Sequence, residues 1–522
     1  MPLSLELSYL YIDWHCNDGS FTKYSALLHF MNLWLWDGKD SCLFPLKMAE
    51  DFIKITKVQE RDTRAIAISG IILLAMRHGD NCPGIIKDIL TEWYDNEEVK
   101  SDLIEIQKYF LASTTGLKMQ KKVQEELLGK MQKEQRILRE KLGMVEDEDA
   151  RAEIAEEGNR KLMSFANEIN KIMQNGVDMN IGTFASLKGL DFFKVVKHWF
   201  LEFDINHPCL EELGEKKKLA NALFNHAELC DLDKYALSSV ITKAVSVEAM
   251  SQDLPQEILE SMQGENAKNI LKQERYRNAY KYAFQTFFRF FQFSPWHQEV
   301  LNPFKMTPFL SDYTLLSPLI SNNFLLETSK IFISNSFYSH SAMYLRRWMI
   351  QNSKTDEALQ LLAHCDKYLG ENEERLQCLM ELENRNPEDM ELVKETGLCL
   401  IAMKRYEEAQ KRFFQLEVTE HYLRGSARAI AWCSLMMKNV SRAQRYYKKL
   451  LAWEGGASWE DMVNAAHCAW VSGDPIEASR LYSLYLTKHN DNLSAFDNDY
   501  EVLRELGIPH DDISLMRDTI MQ

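Results

Sequence analysis

One small residue recurs near the C-terminal end of the chain at an almost constant interval. Ala409, Ala443 and Ala478 lie 34 and 35 residues apart. Each alanine is followed four residues later by a large aromatic residue: Phe413, Tyr447 or Tyr482. Such a period is typical of repeat proteins, in which each unit is a helix pair that stacks on the next. The alanine predicts the point where two helices cross closely, because a larger side chain would hold them apart.

The clearest copy of this unit runs from Glu391 to Glu417 and contains two helical patterns joined by a short turn. Gly397 lies in the first pattern, where we expect the neighbouring helix to approach. Ala409 and Phe413 lie in the second pattern, at the spacing of one helical turn. This copy resembles the tetratricopeptide repeat, a helix pair of about 34 residues.

Two weaker copies precede the clear one. The copy Glu357 to Pro387 keeps the apolar pattern, but Arg375 takes the place of the alanine, and the copy Asn322 to Asn352 is weaker again. The sequence therefore predicts an all-α fold, an α-solenoid of helical hairpins whose C-terminal part consists of tetratricopeptide repeats.

The composition favours helices throughout the chain, since only 12 prolines and 21 glycines interrupt 522 residues. We predict five segments in chain order. They are helical hairpins over 1–116, with a weak resemblance to HEAT repeats; a long charged helix with a coiled-coil pattern over 117–175; a helical middle domain over 176–320; the tetratricopeptide repeats over 321–490; and capping helices over 491–522.

The charged segment has two interpretations. Leu128, Met131, Leu138 and Leu142 recur in the steps of three and four that are typical of a short coiled-coil seam. One interpretation is a solvated linker helix. The other is a projecting helical hairpin, with Leu162 to Met173 as its return arm, that grips a partner helix.

The middle domain contains a helical stripe of aromatic residues. Its members are Tyr276, Tyr280, Phe284, Phe287, Phe288 and Phe291. Basic residues lie nearby, such as Arg277, Lys281 and Arg289. One interpretation of the stripe is therefore a surface on which nucleic-acid bases stack. We interpret the stripe as a core helix instead, and we predict another helix over Phe192 to Phe203.

The net charge of −16 argues against general binding to nucleic acid or to anionic lipid, because both need a basic surface. The negative charge favours protein or peptide partners. It gives no information on the oligomeric state. The ten cysteines are scattered without a CxxC pair, which fits a reducing compartment. The first residues lack the basic start of a signal peptide, and the longest apolar run is shorter than the roughly 20 residues that span a bilayer. We expect a cytoplasmic protein without membrane insertion.

No glycine-rich phosphate loop, HExxH helix, GxSxG turn or kinase motif set is present, so we expect no enzymatic activity and no cofactor. One weak metal-ligand pattern combines His207 and Cys209 with His226 and Cys230. Tetrahedral zinc can use two such pairs. Histidine and cysteine four residues apart are also common in protein cores, and we interpret these four as structural, with no metal.

The resemblance to tetratricopeptide proteins implies a binding scaffold, in which the first helix of each pair lines a concave groove for a peptide or a partner helix. Alignment on the three alanines places groove positions at Lys394, Leu398, Ile401, Arg428, Trp432, Leu435, Met436, Val463, His467 and Trp470. One subset of the family holds acidic C-termini with a clamp of lysine, asparagine and arginine. Lys394 matches that clamp, but Leu398 and Ala429 replace its asparagines, so the resemblance implies an apolar and aromatic groove.

Two function classes fit this groove. The first is a non-enzymatic scaffold that holds a segment of another protein. The second is a regulatory protein whose own N-terminal helices occupy the groove until a partner or a small peptide displaces them.

Overall fold

The structure is a computed structural model, and it divides into two compact units, residues 1–335 and 336–522. It describes residues 2–36, 43–144, 148–217, 220, 224, 229–243, 273, 276–418, 423–453, 456–488 and 493–520. All regular secondary structure in these ranges is helical, which confirms the all-α class. The predicted division into five segments stays a prediction.

The described helices of the first unit follow the chain from α1 to α12. They are α1 (Leu3–Asn17), α2 (Lys23–Leu35), α3 (Leu43–Ile55), α4 (Arg61–His78), α5 (Gly84–Glu92), α6 (Glu97–Lys121), α7 (Leu128–Met144), α8 (Glu148–Gln174), α9 (Ile181–Leu187), α10 (Asp231–Lys243), α11 (Ala279–Phe293) and α12 (Asn322–Ser334).

The core of the first unit surrounds α11, the aromatic helix, which packs against α4 and α6. The Phe287 ring lies 4.8 Å from that of Phe30 on α2, centroid to centroid, and Phe284 lies 5.9 Å from Phe110 on α6. Five of the six stripe residues are buried, and only Tyr276 is exposed. The structure therefore supports a core helix, because buried rings offer no face on which a base could stack.

Arg289 is fully buried among these rings and forms an ion cluster with two carboxylates. Its Nη1 lies 2.7 Å from Asp178 Oδ2, and its Nη2 lies 2.7 Å from Asp233 Oδ2. Burial raises the pKa of Asp233 to about 6, against the opposing effect of the Arg289 charge. Buried charges need such partners, so the cluster joins α11 to α10 and to the segment before α9.

The helix predicted over Phe192 to Phe203 is replaced by two short 3₁₀ helices, Asp191–Lys194 and Val196–Phe200, followed by extended chain. Side chains of the second turn bind carbonyl groups of the first. Trp199 Nε1 donates to the carbonyl of Phe193 at 2.8 Å. This local pairing competes with the regular α-helical hydrogen bonds, which explains why the apolar pattern failed as a predictor here.

The charged segment forms a hairpin. Helix α6 continues through a π-helical turn, Lys122–Leu127, into α7, and α8 returns along α7. Lys122 Nζ lies 2.8 Å from Glu168 Oε1 across the base of the hairpin. The structure thus contains the hairpin of the second interpretation. Its coiled-coil character and its grip on a partner helix stay predictions.

The second unit contains α13 to α24. They are α13 (Tyr338–Gln351), α14 (Asp356–Leu369), α15 (Asn372–Arg385), α16 (Met390–Ala402), α17 (Tyr406–Leu416), α18 (Leu423–Met436), α19 (Val440–Leu451), α20 (Trp459–Val471), α21 (Pro475–Lys488), α22 (Ser494–Asn498), α23 (Tyr500–Leu506) and α24 (His510–Ile520).

Four consecutive helix pairs stack in sequence order, from α14–α15 to α20–α21. The repeating alanines Ala409, Ala443 and Ala478 are fully buried. At Gly397 a Cβ atom would lie 2.8 Å from the Phe413 ring, so α16 and α17 approach each other as the sequence predicts. In the degenerate copy Arg375 is also buried, and it donates to Glu395 on α16 at 2.6 Å. The weakest predicted copy is helical as α12 and α13, which lie in different units.

The last three helices cover the end of the stack. Phe496 and Leu503 are buried in the same cluster as Tyr482 of the last repeat, and the Phe496 ring lies 5.0 Å from the Tyr482 ring. The segment 491–522 thus contains three helices, and its role as a cap stays a prediction.

Within the described ranges, we find no helix that is both long enough and apolar enough to cross a bilayer.

Candidate functional site

The first helices of three consecutive repeats surround a cavity of about 610 Å³. In each of these helices the lining residues are neighbours or recur after three or four positions, which places them along one side of the helix. The lining residues are Lys394, Leu398 and Ile401 on α16; Gly425, Ser426, Arg428, Ala429 and Trp432 on α18; and Trp459, Glu460, Val463 and Asn464 on α20. Phe413 and Leu416 of α17 and Asp499, after α22, complete the wall.

Large apolar side chains stay accessible in this cavity. Leu398 is 39% exposed, Trp459 is 43% exposed and Trp432 is half-buried. Helix α16 contributes the aliphatic part of the wall, and the indole rings come from α18 and α20. The cavity therefore offers an apolar surface that a ligand could cover.

The two cations of the wall already have anionic partners. Lys394 Nζ lies 2.6 Å from Glu391 Oε1, one turn earlier on the same helix. Arg428 Nε donates to Asp461 Oδ1 at 2.7 Å, and its Nη2 donates to Ser458 Oγ at 3.0 Å. Burial alone would raise the pKa of Asp461, but the bonds from Arg428 and Ser458 outweigh it and the pKa is lowered. Asp461 is thus a carboxylate that fixes Arg428.

The two carboxylates of the wall are placed differently. Glu460 forms no hydrogen bond or close ion pair with any described residue, and it attracts Arg428 at longer range. Asp499 Oδ2 lies 3.0 Å from His467 Nε2. The other ring nitrogen of His467 makes a short contact with the hydroxyl of Tyr482. Asp499 is therefore anchored on one side and faces the cavity.

The predicted groove residues separate into two groups. Lys394, Leu398, Arg428 and Trp432 line the cavity together, as do Ile401 and Val463 from the wider alignment. The remaining positions point into the packed interior of the last repeats: Leu435, Met436, His467 and Trp470.

The structure corrects the groove assignment of these interior positions. His467 is 0% exposed and Trp470 is 8% exposed, because the helices after the last repeat cover this end of the stack. Trp470 packs edge-on against Tyr482, and Met436 packs against the same cluster. His467 and Trp470 are buried residues of the last repeats, and Met436 is a half-buried residue at the edge of the same cluster.

Among the lining residues that were not predicted as groove positions, four extend the site beyond α16 to α18: Trp459, Glu460, Asn464 and Asp499. Glu460 lies three residues before Val463, and Asn464 lies one residue after it. Both could therefore have been predicted from the position of Val463 on its helix. Asp499 carries no such signal, since it reaches the cavity only because the C-terminal helices fold back. Glu505 on α23 forms an ion pair with Lys404, in the turn between α16 and α17, which is a second contact of the C-terminal helices with an earlier repeat.

The metal-ligand pattern does not form a metal site among the described residues. The His207 Nδ1 atom lies 2.9 Å from Cys209 Sγ. Cys230 is buried beside Asp233 of the Arg289 cluster, 3.4 Å from Oδ2. His226 lies outside the described residues.

No family model and no curated protein matches the chain. Solved structures resemble it only distantly. A tetratricopeptide repeat protein from Parabacteroides merdae shares 17% identity over 41% of this chain and 89% of its own, with a TM-score of 0.28. A thermophilic protein of the same repeat class from Thermus thermophilus shares 16% identity over 39% of this chain and all of its own, with a TM-score of 0.27. Yeast Tom70 shares 11% identity over 99% of this chain and 96% of its own, with a TM-score of 0.26.

The second unit has the tetratricopeptide-repeat fold. Its own geometry carries this statement: stacked helix pairs, buried alanines at the repeat interval, and the close approach at Gly397.

Proposed function

We propose that this chain is a non-enzymatic scaffold that binds a segment of a partner protein in the cavity of α16, α18 and α20. The observation that carries the proposal is the accessible apolar wall, with Leu398 and Trp432 facing a space of about 610 Å³. Apolar surface exposed to water is unfavourable, and a concave patch of this kind typically marks a binding site.

The wall supports insertion of an apolar side chain rather than capture of a C-terminal carboxylate. A clamp for carboxylates needs cations that are free to donate, whereas Lys394 and Arg428 are held by Glu391 and Asp461. Leu398 supplies an aliphatic surface where the family's clamp has an amide. The ligand we propose is therefore an internal segment, extended or helical, with a large apolar side chain.

The test compares Trp432→Ala with wild type in affinity purification followed by mass spectrometry. Because Trp432 is half-buried and lines the cavity, we expect its truncation to leave the unfolding midpoint nearly unchanged. We also expect it to weaken partner capture by about 2 kcal/mol, as for a binding hot spot. The matched control is Ile476→Ala, at an apolar residue that is 83% exposed and does not line the cavity.

Two outcomes contradict the proposal. If Trp432→Ala destabilises the protein by the roughly 3–5 kcal/mol of a core tryptophan, the residue serves packing. If the partner set of Trp432→Ala equals those of wild type and Ile476→Ala, the cavity is not the binding surface.

A regulatory version of the same scaffold has one contact in its favour. The C-terminal helices border the cavity through Asp499, and the Lys404–Glu505 ion pair holds α23 against the α16–α17 turn. Regulation would then involve the C-terminal helices, whereas the sequence led us to expect N-terminal ones. Glu505→Ala should raise partner capture in the same assay if α23 limits access, and unchanged capture would remove this version.

We place this function in the cytoplasm. The described cysteines are free thiols, and most of them are buried. Burial raises the pKa of Cys433 to about 12, so this thiol stays protonated and unreactive.

A further inference from the structure

The walls of the cavity differ in chemistry from one side to the other. Helix α16 contributes the aliphatic side chains of Leu398 and Ile401, and α18 contributes the Trp432 ring. The side formed by α20 is mixed: Trp459 and Val463 are apolar, whereas Glu460 and Asn464 are polar, and the lining also contains Asp499. A ligand that fills the cavity meets apolar side chains from all three helices, and it meets carboxylates, Glu460 and Asp499, only on the α20 side.

The charges of the wall are not equally available to a ligand. Lys394 lies within 2.7 Å of the Glu391 carboxylate, and Arg428 lies within 2.7 Å of the Asp461 carboxylate. Neither carboxylate lines the cavity. Arg424 also approaches Asp461, at 3.1 Å, and donates to the carbonyl of Gly456, but it does not line the cavity. Glu460 has no hydrogen-bond partner among the described residues. Among the charged groups of the lining, the carboxylate of Glu460 is therefore the one without a close partner among the described residues.

We propose that the cavity selects a segment in which a large apolar residue stands next to a lysine or an arginine. The apolar side chain covers Leu398 and Trp432, and the cation reaches Glu460 and Asp499. This inference rests on the proposed function and names the chemistry of its partner.

Three physical effects favour that ligand. A hydrogen bond between a cation and a carboxylate is stronger than one between neutral groups. The indole rings of Trp432 and Trp459 line the same cavity, and a tryptophan face attracts a cation. The net charge of −16 on the whole chain speeds the approach of a basic partner and repels an acidic one.

The experiment selects peptides from a random display library on the immobilised full chain. The baits are wild type, Glu460→Gln, Glu460→Lys and Trp432→Ala. Glu460 is the charge to change, because it makes no hydrogen bond to a described residue whose loss would disturb the fold, whereas Asp499 holds the buried His467. We expect wild type to enrich peptides that pair an apolar residue with lysine or arginine. Glu460→Gln should weaken that basic preference, Glu460→Lys should reverse it, and Trp432→Ala should abolish enrichment.

Binding of one selected peptide then gives the magnitude. Replacing its basic residue by glutamine should weaken binding to wild type by roughly 5- to 20-fold, as for a charged hydrogen bond that is partly exposed to water. The same replacement should change binding to Glu460→Gln by much less.

The outcomes separate this inference from the proposed function. Enrichment of apolar peptides without a basic preference, still lost in Trp432→Ala, overturns the inference and leaves the scaffold proposal standing. A basic preference that is the same for wild type and both Glu460 variants also overturns it. Failure of wild type to enrich any peptide above Trp432→Ala overturns both.

Discussion

At the scale of single residues, Gly397 controls how closely α16 and α17 pack. A Cβ atom at this position would lie 2.8 Å from Phe413 Cε2 and 2.9 Å from Cζ, and the ring is buried. We therefore expect Gly397→Ala to lower the free energy of unfolding by about 1–3 kcal/mol, the usual cost of overpacking. Chemical denaturation measures this change.

The matched control for Gly397 is Gly425, a helical glycine of α18. A Cβ atom at Gly425 meets nothing within 4 Å. Alanine is the better helix former by about 1 kcal/mol, so Gly425→Ala should be neutral or stabilising. Equal effects of the two substitutions would show that the close approach at Gly397 does not exist.

A second residue-scale expectation concerns pH. His29 is fully buried among the rings of Tyr11, Trp14 and Phe52, and its Nδ1–H donates to the carbonyl of Ser25. Burial lowers its pKa from 6.5 to about 4. Between these values the unfolded chain binds a proton that the folded chain does not. Unfolding therefore becomes easier as pH falls from 6.5 to 4, by roughly 3 kcal/mol over the interval.

Denaturation of wild type and His29→Phe at pH 7 and pH 4.5 checks this expectation. The phenylalanine variant should lose less stability between the two pH values than wild type does, because its ring binds no proton. His510→Gln, at an exposed histidine, serves as the control and should follow wild type. An equal loss in all three proteins would mean that other groups cause the acid sensitivity.

At the scale of secondary-structure elements, Arg289 joins α11 to α10 and to the segment before α9. Arg289→Met would leave Asp178 and Asp233 buried without a cation. We expect a loss of about 3–5 kcal/mol in the free energy of unfolding, as for other broken buried ion pairs.

The exposed pair of Arg136 and Glu140, 3.0 Å apart, provides the control. Arg136→Met should cost less than about 1 kcal/mol. Similar losses in both variants would contradict a structural role for the buried cluster.

The elements themselves were predictable where one residue type recurs with a physical reason. Gly397 and Ala409 located the α16–α17 pair because only small residues allow helices to approach so closely. The two 3₁₀ helices between Asp191 and Phe200 were not predictable, since the bond from Trp199 to the Phe193 carbonyl depends on a side-chain orientation. For the charged hairpin the sequence allowed two interpretations, because a charged helix with a weak apolar seam has the same pattern with or without a return arm.

At the scale of the whole molecule, the candidate site was also predictable only where its residues belong to the repeat pattern. Leu398 and Trp432 follow from the repeat period, because each occupies the same face of its helix. The groove assignment of His467 and Trp470 depends on the helices that come after the last repeat. Asp499 folds back onto His467, and Phe496 packs against Tyr482, which also contacts Trp470; no local pattern encodes such distant contacts.

The second unit should fold by itself, since its core is continuous from the repeats into the cap. Helix pairs of a repeat protein depend mainly on their neighbours, and a terminal pair needs a cover with a polar outer face. Here α22 to α24 supply that cover, burying Phe496 and Leu503 against Tyr482. We expect a fragment of residues 336–522 to be helical by circular dichroism and to unfold cooperatively.

A fragment of 336–488 lacks the cap and leaves the Tyr482 side of the last pair open to water. It should melt at a lower temperature and bind an apolar dye. Equal melting temperatures would show that the last helices do not act as a cap, and the absence of a cooperative transition in 336–522 would show that this unit does not fold alone.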